Sequence, residues 1–242
     1  MKRLTFSYRL SPALTARLEQ ITTLRQEILL TPLSPKVELQ YRWEALIDKI
    51  YWSLQLDGES ISKTEIVAVL TNQKKRKMPP LEMDIHRYRY AFDSIRENWL
   101  GSHKPITTKT ILRLYELIGR GKKQDEESLN TLLIYMQAST EHPALQAAIV
   151  LLEIIYAQPF TKDNDRIARL SAYLFLYKYG YDVDGMLVLE EYIKQNSNTH
   201  EEIIKNISKD RNITPWLEYI TRGISAHLLS LRNRILEQKE SS

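Results

Sequence analysis

The 242-residue chain contains no cysteine and only 7 glycines. Without cysteine there can be no disulfide framework and no thiolate metal site, which fits a reducing compartment; a cytoplasmic location is expected. Seven glycines fall well below the usual share of about 7% of residues. So few positive-φ turns suit a chain built from helices rather than hairpins. No apolar run approaches the roughly 20 residues that a membrane span needs, and the opening MKRLTFSYRLSPAL has no uninterrupted apolar segment, so neither a membrane partner nor a secretory signal is expected. There is no strand-forming run of useful length; residues 4–8 and 181–183 are the best candidates and carry little weight. Charge of either sign is not in large excess: 34 basic against 30 acidic residues leave +4. That balance gives no general footprint for nucleic acid, and nucleic acid is not an expected partner. The one basic cluster, KKRK at 74–77, reads as a solvated loop.

What is present is a succession of helix signals. Ser11-Pro12 and Ser34-Pro35 each place an N-cap before a proline at the first helical position. The first helix, to about Leu30, carries Leu14, Leu18, Ile21, Leu24 and Ile28 on one stripe. The second, to about Leu56, carries Leu39, Trp43, Leu46, Ile50 and Leu54, and stops at Asp57-Gly58. Ser62 and Glu65 form a capping box that opens a short helix to about Asn72. Further helices are expected over 82–99, from Thr107 or Thr108 to Ile118, and over 126–138, 143–157, 166–179, 187–195, 199–208 and 214–238. The polar end EQKESS is expected to fray. The fold class is therefore all-α.

Two of these helices are apolar almost all round, PALQAAIVLLEIIYA at 143–157 and RIARLSAYLFLYKY at 166–179, and so read as buried. Between them lies a loop dense in charge, QPFTKDNDRIAR at 158–169. A helix N-terminus offers unpaired N–H groups and a positive dipole end, so an anion site is one reading. A polar cap, with Asp163 or Asn164 as N-cap and the arginines paired with Asp163, Asp165 or Glu153, is the plainer one.

The loop resembles the signature of the Fic (Fido-domain) family, HPFxxGNGRxxR. Pro159, Phe160, Asn164, Arg166 and Arg169 stand at matching positions, and the flanking HPALQAAI, RLSAYLFL and NITPWLEYI are similar too. The resemblance implies a Fic helical bundle with at most a minimal β-hairpin. Residues 1–50 would be an N-terminal helical extension, 51–231 the Fic-like core and 232–242 a frayed tail. It implies a nucleotide site made of Phe160, Thr161, Lys162, Asp163, Asn164, Asp165, Arg166 and Arg169, with Gln158 in the place of the catalytic histidine. By the same resemblance alone the cofactors would be ATP and Mg²⁺. Ser53-Leu-Gln-Leu-Asp57-Gly58 resembles the family's inhibitory motif [ST]xxxE[GN], whose glutamate pairs with the second signature arginine; Ser53, Asp57 and Gly58 would be regulatory.

Five departures from the family pattern bear on the chemistry. An amide at Gln158 cannot accept a proton near neutral pH, and loss of a general base typically removes about two to four powers of ten in rate. Lys162 puts an ammonium where a magnesium ligand is expected, although a lysine can neutralise phosphate as a point charge. Asp163 and Asp165 replace two glycines with negative side chains where backbone should meet an anion. Asp57 is a methylene shorter than glutamate, so its pair with Arg169 would need a closer helix or a water bridge. The hairpin that holds a target protein is reduced to GRGKKQD at 119–125. The expected function is a Fic-fold protein whose AMP transfer is lost or greatly weakened, still able to bind a nucleotide phosphate or a protein partner. Two alternatives stay open: a protein adenylyltransferase or other phosphate-group transferase with altered chemistry, and a non-catalytic interaction module, with a homodimer compatible. The five histidines show no metal-ligand spacing, no metal-binding residues are assigned, and the 14 tyrosines read as packing residues.

Overall fold

The computed structural model describes residues 6–72 and 78–240; the KKRK cluster lies outside them. The described residues form eleven helices: α1 Pro12–Leu30, α2 Pro35–Leu56, α3 Lys63–Thr71, α4 Pro80–Trp99, α5 Thr108–Ile118, α6 Glu126–Ala138, α7 Pro143–Ala157, α8 Asn164–Lys178, α9 Glu190–Gln195, α10 Ser197–Asp210 and α11 Thr214–Glu240. The fold is all-α. The starts follow the local chemistry: the hydroxyls of Ser11 and Ser34 accept from the third residue on, and Ser62 and Glu65 close a reciprocal capping box. His142 caps α7, its Nδ1 accepting from the Ala144 N–H at 3.1 Å. α11 continues through the polar tail to Glu240.

α8 is the axis. Every residue from Arg166 to Tyr177 is buried, and α7, α4 and α5 pack around it. α7 buries Ala144 to Leu152 without a break. Apolar side chains on all faces leave these two helices no stable place except the interior, each buried leucine or isoleucine contributing roughly 1.5–3 kcal/mol. α1 lies along α11, and α2 lies against α3, α4 and α9, which brings the C-terminus of α2 to the start of α8.

Residues 4 and 5 of the first weak strand candidate lie outside the described residues, and among the described residues neither candidate forms a strand. Ser7 makes an isolated parallel bridge to Asn212, and residues 181–183 form a turn rather than a strand. There Val183, Asp184 and Gly185 all take positive φ (46°, 59° and 90°), a backbone incompatible with a strand.

Candidate functional site

The loop after α7 begins with Gln158 in the left-handed region (φ 44°, ψ 56°), exposed at the end of the helix. Phe160 turns inward, is 1% exposed, and stacks on Tyr115 of α5 with ring centroids 3.8 Å apart. Asn164 grips the backbone of the same residue from both sides. Its Oδ1 accepts from the Phe160 N–H at 3.0 Å, and its Nδ2 donates to the Phe160 carbonyl at 2.7 Å. One side chain thereby closes the turn into α8.

Asp163 occupies a left-handed position (φ 61°), where the resemblance has glycine; aspartate is among the few residues that tolerate this region. Its carboxylate does not cap α8. It accepts instead from the Arg120 N–H at 2.8 Å and from Arg120 Nη2 at 3.2 Å. Asp165 lies in the first helical turn, where an acid suits the dipole and no positive φ is required.

The segment that replaces the hairpin straps this loop. The Thr161 N–H donates to the Lys122 carbonyl at 2.9 Å, the Gln124 and Asp125 N–H groups both donate to the Pro159 carbonyl, and Lys123 bridges antiparallel to Phe160. The short connection thus spends its backbone hydrogen bonds on the signature loop itself. Gly121 is required there by closeness: a Cβ would lie 2.4 Å from Thr161 Oγ1 and 2.7 Å from the Tyr115 hydroxyl.

Both signature arginines are buried and taken by acidic side chains. Asp57, at the C-cap of α2, divides its two oxygens between them. Oδ2 is 2.7 Å from Arg166 Nε and Oδ1 is 3.0 Å from Arg169 Nη2. No water bridge is needed, since the end of α2 lies close enough for direct contact. Gly58 (φ 85°) allows α2 to stop at that point. Ser53 takes part through its backbone carbonyl, which receives a long contact of 3.5 Å from Arg169 Nη2. Tyr88 donates to Asp57 Oδ2 at 2.9 Å and accepts from Arg169 Nη2 at 3.2 Å. Burial holds its hydroxyl far above the usual tyrosine range, so it acts as a neutral bridge. Arg166 Nη1 donates to Asp84 Oδ2 at 2.9 Å, and Arg120 Nη1 approaches the same oxygen at 3.5 Å. Despite the burial that opposes charge, Tyr88 and Asp57 keep both guanidiniums raised and charged.

The arginine partners differ from the plainer reading of the sequence. Asp163 is a secondary partner of Arg166 at 3.7 Å, and neither Asp165 nor Glu153 forms an ion pair with either arginine among the described residues. Asp84, Tyr88 and Arg120 were not singled out by the sequence. The spacing of Asp84 and Tyr88, four residues apart on one face of α4, was the available signal.

A cavity of about 420 Å³ opens beside the loop, lined by residues that include Asp57, Glu59, Arg120, Gln158, Asp163, Asp165 and Arg166. Four carboxylates face two guanidiniums. Lys162 is exposed and does not line it. A nucleotide triphosphate does not fit this loop as it stands, because each arginine that would receive phosphate already holds a carboxylate. Of the four carboxylates, Asp57 and Asp163 are committed to arginines.

Residues 82–176 match the family model described as Fic/DOC family. The motif around Asp57 lies outside that segment. The search of curated proteins finds no match. Among solved structures, the chain is similar to a Fic family protein from Desulfovibrio desulfuricans G20 at 16% identity, covering 93% of this chain and 75% of that one with a TM-score of 0.80. It is similar to Fic-1 from C. elegans at 18% identity over 95% of this chain and 74% of that one, TM-score 0.75. A Fic domain containing signaling protein from Bacteroides thetaiotaomicron VPI-5482 gives 16% identity over 92% and 97%, TM-score 0.72. Residues 82–176 of this chain thus resemble the Fic/DOC family model, and the chain shares its fold with solved Fic proteins.

Proposed function

We propose that this chain is a Fic-type protein whose AMP-transfer chemistry is lost or greatly weakened. The observation that carries the reading is the occupation of both signature arginines by the chain's own acids, Asp57 on both and Asp84 on Arg166. An incoming triphosphate would have to displace buried, charge-assisted bonds while facing a cavity with two more carboxylates than guanidiniums. Gln158 would then hold a target hydroxyl by hydrogen bonding without removing its proton. The reading in which Lys162 takes over the role of the metal has no support from its exposed position.

The test is incorporation of labelled AMP from ATP and Mg²⁺, into the chain itself and into lysate proteins, for the unaltered chain and for Asp57→Gly. Neither should label. Incorporation by the unaltered chain would overturn the proposal. Incorporation by Asp57→Gly alone would show a competent transferase held shut, and would overturn it equally.

A further inference from the structure

Asp57 can hold the signature arginines only while the last turn of α2 stays in place, and apolar packing does little to secure that turn. Leu54 is the last fully buried residue of α2; Gln55, Leu56 and Asp57 are only partly buried. The helix closes on itself instead. The Gly58 N–H donates to the Gln55 carbonyl at 3.3 Å, and the Glu59 N–H reaches back to the Leu54 carbonyl at 3.0 Å. This is the paired ending that a left-handed glycine allows. Nothing in it fixes the turn against the rest of the molecule.

That attachment comes from α9, which packs against α2. Lys194 Nζ donates to the Gln55 carbonyl at 2.7 Å. Lys194 is partly buried and forms no ion pair among the described residues, so its charge is directed to the negative end of the α2 dipole. Four residues earlier on α9, Glu190 is 1% exposed, and its Oε2 accepts from the Tyr173 hydroxyl at 2.7 Å. Glu190 and Arg169 act on each other as opposite charges, and Lys49 of α2 acts on Glu190 in the same way. Glu190 Oε1 and Arg169 Nε are each buried without a hydrogen-bond partner. The attraction between these two side chains is therefore through space, not a hydrogen bond. Arg169 thus lies between an acid of α2 and an acid of α9, and α9 also carries the cation that grips the end of α2.

We propose that α9 is a latch on the signature loop: Lys194 is a positioning residue that fixes the last turn of α2, and release of its contact with Gln55 is what opens Arg166 and Arg169 to an anion. The inference rests on the reading that Asp57 occupies both arginines, and names how that occupation is regulated. An anion binds only in the fraction of molecules in which the contact is open. Raising that fraction tightens the apparent affinity by the same factor. Loss of a hydrogen bond from a charged donor is large enough to change the fraction about tenfold.

The test uses the full chain and Lys194→Met, which keeps an apolar stem and removes the ammonium. Hydrogen exchange at the amides of residues 57–59 should be about tenfold faster in the variant, with the buried amides of α7 unchanged. Calorimetric titration with pyrophosphate should show an apparent affinity about tenfold tighter than in the unaltered chain, and Arg169→Gln added to Lys194→Met should abolish the gain. Unchanged exchange at residues 57–59, equal acceleration in α7, no gain in pyrophosphate affinity, or a gain that survives Arg169→Gln would each overturn the latch. Pyrophosphate binding by Asp57→Gly without any by Lys194→Met would overturn the latch alone. The reading beneath it fails on a different result, incorporation of AMP.

Discussion

Asp57 holds Arg169 by a direct contact, Oδ1 to Nη2 at 3.0 Å, at the junction of α2 and α8. Its other oxygen is 2.7 Å from Arg166 Nε, so one carboxylate neutralises two buried guanidiniums. Asp57→Ala should lower stability by about 3 kcal/mol, the low end of the range for breaking a buried pair, because Arg166 keeps Asp84. Asp57→Asn should also destabilise despite its shape, since one of its two positions becomes a donor facing a donor. Urea denaturation of both variants checks this. An asparagine variant as stable as the unaltered chain would show that the charge is not what matters.

The same junction predicts a change in ligand binding. With Asp57 removed, the hydrogen bonds left to Arg169 among the described residues are those to Tyr88 and, at long range, to the Ser53 carbonyl. Asp57→Gly should therefore gain saturable binding of pyrophosphate at the signature loop, and Arg169→Gln added to it should abolish that gain. Calorimetry on the two variants gives the comparison; a gain that survives loss of Arg169 would place the anion elsewhere.

The helices were legible because their determinants are local. Serine caps before proline, stripes at three- and four-residue spacing and stop signals at Asp57-Gly58 placed α1, α2 and α3 closely, and two all-apolar runs identified α7 and α8 as the centre. The pairing of Asp57 with Arg169 was reachable only through the resemblance, since 112 residues separate the two. Asp84 offered only its spacing from Tyr88 on one face of α4, and Arg120 offered no signal. Their roles depend on how α4 and the strap pack against α8, which is set by tertiary contacts that no local pattern encodes. The distances also settled a matter of length: whether aspartate could reach depended on the approach of α2, not on the side chain alone.

Asn164 matches the family signature, yet in this chain its amide is spent on the backbone of Phe160. Asn164→Asp keeps the acceptor and loses the donor; Asn164→Ala loses both. The expected cost is about 1 kcal/mol for the aspartate and about 2 kcal/mol for the alanine, one net hydrogen bond and two. Chemical denaturation, together with the quenching of Tyr115 and Phe160 stacking signals in near-ultraviolet dichroism, measures both. Equal stability of all three proteins would mean that the strap, not Asn164, closes the loop.

Glu153 of α7 gives a pH dependence with a definite sign. Burial pushes its carboxyl up to about 7, and Oε1 is buried without a hydrogen-bond partner. The folded state therefore holds a proton more tightly than the unfolded chain, whose carboxyl titrates near 4.5. The stabilising contribution is fully present below about 4.5 and is lost as pH rises through about 7. Other buried groups titrate in the same interval: Asp182 is pushed up to about 6, with the same sign, while His142 and His227 are pulled down to about 4 and act oppositely. The difference between the unaltered chain and Glu153→Gln removes those shared contributions. That difference in unfolding free energy should favour the unaltered chain progressively as pH falls from 7.5 to 4.5 (about the span of the shift). Denaturant midpoints taken across this interval supply it. A difference that stays flat would mean that Glu153 ionises in the folded chain as it does in water, and that solvent reaches the carboxyl.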